Sequence, residues 1–204
     1  MISTYQKIQL VESLQKQIDH DVMRFKHMAG IDCLLHCSEC CNYPDIQASP
    51  LEFLPFAYHA WKLGQLEFWA DLSEKNEGSL CILRNVSENA WGCQIYPVRG
   101  LICRLFGFSA ALDKQGRPVF AACRILKNHD GEKIREIRDL VQSGEKMPVI
   151  SHYYRRLAGI DLRLGQETMP INQAIRKAME IVYFMDYRGR SSGFNPLSPP
   201  AGAA

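Results

Sequence analysis

The chain has 204 residues, 47% of them hydrophobic and 23% charged, and its 24 basic against 22 acidic side chains leave a formal net charge of +2. That length and apolar content can bury a real core, which excludes a wholly disordered chain and suits a single domain. The charges are scattered without a block of one sign, so nucleic acid is not an expected partner.

Residues 1–30 read as an N-terminal amphipathic helix. Tyr5, Ile8, Val11, Leu14, Ile18, Val22 and Phe25 recur at steps of three and four, Ser3 or Thr4 can cap the start, and Gly30 can end it. Such a stripe serves equally to pack inside a monomer or to pair two copies, and the oligomeric state stays open. The segment lacks the basic start, short apolar run and cleavage site of a secretory signal, and no apolar stretch of about 18 residues occurs in the chain. The expected location is cytoplasmic, with no membrane partner.

Residues 31–128 hold all eight cysteines. Within this span the stretch from Pro50 to Asn76 reads as one or two aromatic-rich helices, broken near Gly64, whose rings are core material. Between Leu80 and Arg124 the pattern shortens to apolar runs over 107–112 and 118–122, separated by the turn-like Asp113-Lys114-Gln115-Gly116, which predicts a small hairpin. Residues 129–187 return to helical spacing, at Ile134, Ile137, Leu140 and Val141, then near His152 to Leu157, then from Ile171 to Met185. Residues 188–204 are rich in Ser, Gly, Pro and Ala and are expected to be a disordered tail. The predicted fold class is mainly α, a single metal-stabilised domain with a cysteine-rich irregular centre and a small β-hairpin.

The cysteines form a constellation. Cys33, Cys37, Cys40 and Cys41 are spaced C-x3-C-x2-C-C, and Cys81, Cys93, Cys103 and Cys123 follow. In a reducing compartment these are thiols, and thiols three or four residues apart reach one ion or cluster with little loop entropy to overcome. All eight are candidate metal ligands, although Cys81 and Cys123 stand alone and read equally well as buried inert thiols. Adjacent side chains in an irregular loop usually point apart, which favours different sites for Cys40 and Cys41. Eight thiolates divide naturally into two sets of four. A structural zinc contributes about 10–16 kcal/mol of apparent binding free energy against a total domain stability of about 5–15 kcal/mol, so loss of metal is expected to unfold this region. A catalytic thiol would need a paired histidine, and nothing in the spacing selects His36 or His152.

The run Cys93-Gln94-Ile95-Tyr96-Pro97-Val98-Arg99-Gly100-Leu101-Ile102-Cys103-Arg104-Leu105-Phe106, following the early cluster, resembles the YkgJ-type cysteine-cluster family of zinc- or iron-chelating proteins. That family shows C-x2-C-x2-C-C and later C-x-I-Y-x2-R-P-x2-C-R-x-F. Cys93, Tyr96, Arg99, Cys103, Arg104 and Phe106 match by position, whereas the first gap is one residue longer and Gly100 replaces the usual Pro. The resemblance covers about residues 33–124 and implies metal chelation. It extends to the cysteine cluster of flagellin lysine methylases, which implies protein modification and a protein partner or substrate.

The spacing Cys33-x3-Cys37-x2-Cys40 is also that of radical S-adenosylmethionine enzymes. Glu39 in place of an aromatic, a helix where a strand belongs and the absence of alternating strand and helix patterns all argue against that fold. Tyr96, Arg99 and Arg104 are candidate cofactor-binding residues. The two cations can offset thiolate charge or bind an anion, with ordinary ion pairing the alternative, and Tyr96 can donate a hydrogen bond to sulfur. The expected cofactor is an iron–sulfur cluster of the [4Fe–4S] kind, Zn2+, or one of each. The corresponding function is metal binding with a redox or protein-modifying role, the alternative being a structural zinc module for protein interaction or a metal-handling protein. Whether there is catalysis, and on what substrate, stays open.

Overall fold

The computed structural model describes residues 2–33, 37, 39–85 and 92–192, with backbone alone at Glu39, His129 and 186–192. Helix α1, Thr4–Ala29, starts in a capping box. The Ser3 Oγ accepts the Gln6 N–H at 3.1 Å, and Gln6 Oε1 accepts the Ser3 N–H at 2.8 Å. It stops at Gly30, whose φ of 63° lies in the left-handed region that a helix C-terminus favours. A 3-10 turn, Glu39–Cys41, and strand β1, Gln47–Ala48, follow.

A second 3-10 turn, Pro50–Phe53, leads into α2, Leu54–Lys62, and α3, Leu66–Lys75. The break between these helices falls at Gly64 (φ 66°), where the sequence placed it. Phe53, Phe56 and Trp69 are buried as expected, but Phe68 is 60% exposed. Helix α4, Leu101–Leu105, precedes a hairpin of β2, Ala110–Leu112, and β3, Pro118–Phe120, antiparallel with Ala110 opposite Phe120. Asp113 N–H donates to Arg117 O at 2.9 Å and closes the predicted turn.

Helices α5, Arg124–His129, α6, Gly131–Gln142, α7, Ile150–Ile160, and α8, Leu162–Gln166, come next. In α6, Ile134, Ile137 and Val141 are buried while Leu140 is not. Strand β4, Met169–Pro170, pairs antiparallel with β1, a connection too short to leave a pattern in the sequence. Helix α9, Ile171–Ser192, reaches five residues into the expected tail, and the remainder of that tail lies outside the described residues.

Helix α1 packs within the chain, against α2, α4 and α7. Its stripe from Ile8 to Val22 joins Leu51, Phe53, Leu101, Leu157, Ile175 and Val182 in one core that spans the N-terminal, cysteine and C-terminal segments. The three segments therefore fold as a single domain. A second, smaller core gathers Phe25 and Ala29 at the end of α1 with Phe120 of the hairpin and Ile134, Ile137 and Val141 of α6. Polar pairs fix the register of α1: Lys7 Nζ donates to Asp161 at 2.6 Å and the Tyr153 hydroxyl to Asp21 at 2.7 Å. No helix among the described residues is long and apolar enough to cross a membrane.

Candidate metal centre

All eight cysteines line one cavity of about 470 Å³, walled also by Val22 and Lys26 of α1, by the segment from Tyr43 to Gln47, and by Tyr96, Arg99, Ile102, Phe106 and Phe108. None of the eight is in a disulfide. The two cysteines that the sequence left isolated are brought in by the tertiary structure. Cys81 reaches the cavity because the chain after it pairs with the chain around Cys93, Gln94 N–H donating to Leu83 O at 2.9 Å and Asn85 N–H to Gly92 O at 2.7 Å. Cys123 reaches it as the N-cap of α5, its Sγ accepting the Leu126 N–H at 3.4 Å. A turn at Gly107 (φ 81°) sets the chain leaving α4 against the Cys123 side chain.

Adjacent Cys40 and Cys41 do not point apart. The 3-10 turn that holds them places both on the cavity wall with their sulfurs 3.8 Å from each other. Burial and neighbouring thiols dominate the electrostatics of the group. Burial, then Cys81, Glu52 and Cys93, push the Cys103 thiol well above its ordinary range. The contact with Cys40, then burial, raises Cys41. Burial raises Cys81 to about 12, against backbone N–H groups of Leu83 and Arg84 aimed at its sulfur. Burial likewise raises Cys93, opposed by the Ile95 N–H and by Arg99. Amides and cations directed at sulfur favour the thiolate form, the form in which a thiol binds metal. Cys33 alone among the eight is exposed.

The motif arginines differ in their surroundings. Arg104, 3% exposed, donates through Nε to Arg99 O at 3.0 Å and through Nη2 to Pro97 O at 2.6 Å, and its Nη1 pairs with Asp19 of α1. Its fork is thus spent on holding the loop before α4 to α1, the ordinary ion pair that was the alternative. Arg99 lies over the Tyr96 ring, with Cζ 3.9 Å from the centroid, and has no ion-pair partner among the described residues. Tyr96 is 57% exposed and contributes its ring to that contact, and among the described residues it makes no hydrogen bond to sulfur. His36 lies outside the described residues, and His152 borders a different cavity, beside Asp21, Arg24 and Tyr153, so it does not serve as base for a thiol here.

Two buried polar residues were not found from the sequence. Glu52 is completely buried, accepting the Ser49 N–H at 2.8 Å, the Ile102 N–H at 3.0 Å and the Tyr154 hydroxyl at 3.3 Å. Burial raises its pKa to about 6 against those hydrogen bonds. The available signal was a lone carboxyl in the apolar run from Pro50 to Phe56. Asn172, 1% exposed at the start of α9, accepts the Ile82 N–H at 3.1 Å and donates to Asn76 O at 2.8 Å and Leu80 O at 3.1 Å, which pins the segment carrying Cys81. A single Asn in a helical pattern gives no such signal.

Among the described residues, no three Cys, His, Asp or Glu side chains already stand as the ligands of one ion. The donor chemistry nonetheless fits a soft metal centre. Thiols outnumber every other donor on the cavity wall, and the 3.8 Å between Cys40 and Cys41 sulfurs matches the edge of about 3.8 Å of a tetrahedron with metal–sulfur bonds of about 2.3 Å. No family model, no curated protein and no solved structure matches the chain.

Proposed function

We propose that this chain is a metal–thiolate protein whose cavity holds an iron–sulfur cluster with a redox or protein-modifying role. The observation that carries the reading is the convergence of eight cysteines, spread from Cys33 to Cys123 and none in a disulfide, on a single cavity. An apolar core gains nothing from gathering thiols that repel each other's ionised forms, whereas a cluster needs them. Cys40, Cys81, Cys93 and Cys103 form the inner ligand set, since Cys40 acts on each of the other three, Cys93 on Cys81, and both Cys81 and Cys93 on Cys103. Cys33, Cys37 and Cys123 form an outer set, and Cys41 lies against the inner one, beside Cys40 and under the influence of Cys81 and Cys103. A cluster supplies one-electron chemistry. The protein's part is to hold the sulfurs, surround them with apolar side chains and direct N–H groups at them, which sets potential and access. The resemblance to the YkgJ-type family and to flagellin lysine methylases supports the same reading and suggests a protein substrate.

A structural zinc module is the second reading, favoured by the tetrahedral-edge spacing of Cys40 and Cys41. Visible absorption with elemental analysis on protein purified without oxygen separates the two. Broad visible absorption with iron and inorganic sulfide in equal amounts is expected. A colourless protein with zinc would replace the cluster by the structural module, and a colourless protein with neither would end both readings.

A further inference from the structure

We infer that a second cavity, bordered by Arg24, Lys146 and Arg156, binds a phosphate monoester carried on an apolar body. It stands apart from the metal centre proposed above, with which it shares no lining residue.

The cavity, of about 680 Å³, opens between α1, α7 and the loop that joins α6 to α7, and its size lies in the range of about 300–1,000 Å³ typical of small-molecule sites. Helix α1 divides it from the cysteines: Asp21 and Arg24 border this cavity, Val22 and Lys26 the other. Val141, Val149 and Tyr153, all buried, give it an apolar wall on which the body of a ligand can rest.

Two arginines from different helices converge there. The Tyr153 hydroxyl donates to Asp21 Oδ2 at 2.7 Å, Gln17 Nε2 donates to the same oxygen at 3.0 Å, and His20 Nδ1 lies 3.3 Å from Oδ1. Both oxygens of Asp21 therefore have partners other than an arginine. Burial, then Asp21, push the Tyr153 hydroxyl above its ordinary range, and the charges of Arg156 and Arg24 oppose them, so a guanidinium from α7 and one from α1 are within electrostatic reach of the same hydroxyl. Neither arginine, nor Lys146, has an ion-pair partner among the described residues.

The charges on the wall select the ligand class. Arg24, Lys146 and Arg156 stand against Asp21 and Glu145, which leaves one positive charge over, and His152 adds a second when protonated. A phosphate monoester carries a charge of about −1.5 to −2 near neutral pH and presents three oxygens, enough to accept from two guanidinium forks and an ammonium together. A carboxylate has one charge and two oxygens, which a single fork already saturates.

The test is calorimetric titration of the full chain with phenyl phosphate, benzoate and inorganic phosphate. Phenyl phosphate is expected to bind about tenfold or more tighter than either of the others, and Arg24→Gln and Arg156→Gln should each weaken it by about tenfold or more, as loss of a hydrogen bond between charged groups predicts. Both arginines are exposed, so neither substitution removes core packing, and Lys146→Gln, in an exposed loop, decides the matter should an arginine variant fail to fold. Arg155→Gln, exposed on the same helix but off the cavity wall, should leave the affinity unchanged. Wild type that ignores phenyl phosphate, wild type that binds benzoate or inorganic phosphate as tightly, or full affinity in the cavity variants would each overturn the inference. An equal loss in Arg155→Gln would overturn it too, by showing general attraction to a basic surface. None of these outcomes bears on the metal centre.

Discussion

Glu52 Oε2 accepts the backbone N–H of Ile102 at 3.0 Å, so a wholly buried carboxylate sits at the N-terminus of the short helix that carries Cys103. A negative charge belongs at that end of a helix, where the free N–H groups point. The same carboxylate explains why Gly100 stands there. A Cβ built on Gly100 would stand 2.8 Å from Glu52 Oε2 and 2.8 Å from Phe53 Cζ. The backbone there is ordinary, with φ −63°, so the glycine is required by space and not by conformation.

Gly100→Ala is therefore expected to lower stability by about 1–3 kcal/mol through overpacking. Gly100→Pro should cost at least as much, although proline is usual at that place in the family the motif resembles. Urea denaturation of both variants checks this; a midpoint equal to that of wild type would refute the steric account.

Glu52 also predicts a pH dependence. Its folded pKa, raised by burial to about 6, lies above its ordinary value of 4.5. Between those values the folded protein holds a proton that the unfolded chain has released. This contribution is fully present below pH 4.5 and is lost as pH rises through about 6, a fall of about 2 kcal/mol at 1.36 kcal/mol per unit. Glu52→Gln, which does not titrate, should flatten the stability profile across that window. An unchanged slope in the variant would show that another group sets it.

Arg104 and Asp19 should respond unequally to substitution. Arg104 is buried and supports the Pro97 and Arg99 carbonyls, so Arg104→Gln is expected to cost about 3–5 kcal/mol and to loosen the loop that carries Arg99. Asp19 is 43% exposed, and Asp19→Asn should cost about 1 kcal/mol or less because water can take over from it. Equal losses in thermal denaturation would contradict this division of roles.

The cysteines are expected to separate by depth. Cys81→Ser and Cys103→Ser, both inside the wall, should shed metal and lower the melting temperature, whereas the exposed Cys33→Ser should keep most of its metal. Removal of the metal proposed for this cavity should itself destabilise the fold, since binding and folding free energy are shared. Elemental analysis with thermal melts measures both, and an unaltered melt of metal-free protein would contradict the coupling.

Asn172→Ala leaves the Ile82 N–H and the Asn76 and Leu80 carbonyls without their partner, at a cost of about 1–3 kcal/mol. Faster amide exchange should appear first at Ile82, beside Cys81. Exchange that rises evenly over the chain would show only a global loss of stability.

The sequence by itself determined the local features. The stripe of α1, its Ser3 box and Gly30 stop, the break at Gly64 and the turn from Asp113 to Gly116 are each set by side chains a few residues apart, and periodicity and capping chemistry report such distances directly. The clustering of Cys33, Cys37, Cys40 and Cys41 was visible for the same reason. Only the tertiary structure decided that Cys81 and Cys123 join them, that Cys40 and Cys41 face one way, and that Arg104 is spent on Asp19 while Arg99 lies over the Tyr96 ring. Those outcomes depend on which surfaces α1, α4 and α9 present to one another. The helix patterns specify that each has an apolar face, but the partner of a buried Glu52 or Asn172 is chosen by three-dimensional packing across 50 to 90 positions of sequence, a separation at which no local pattern survives.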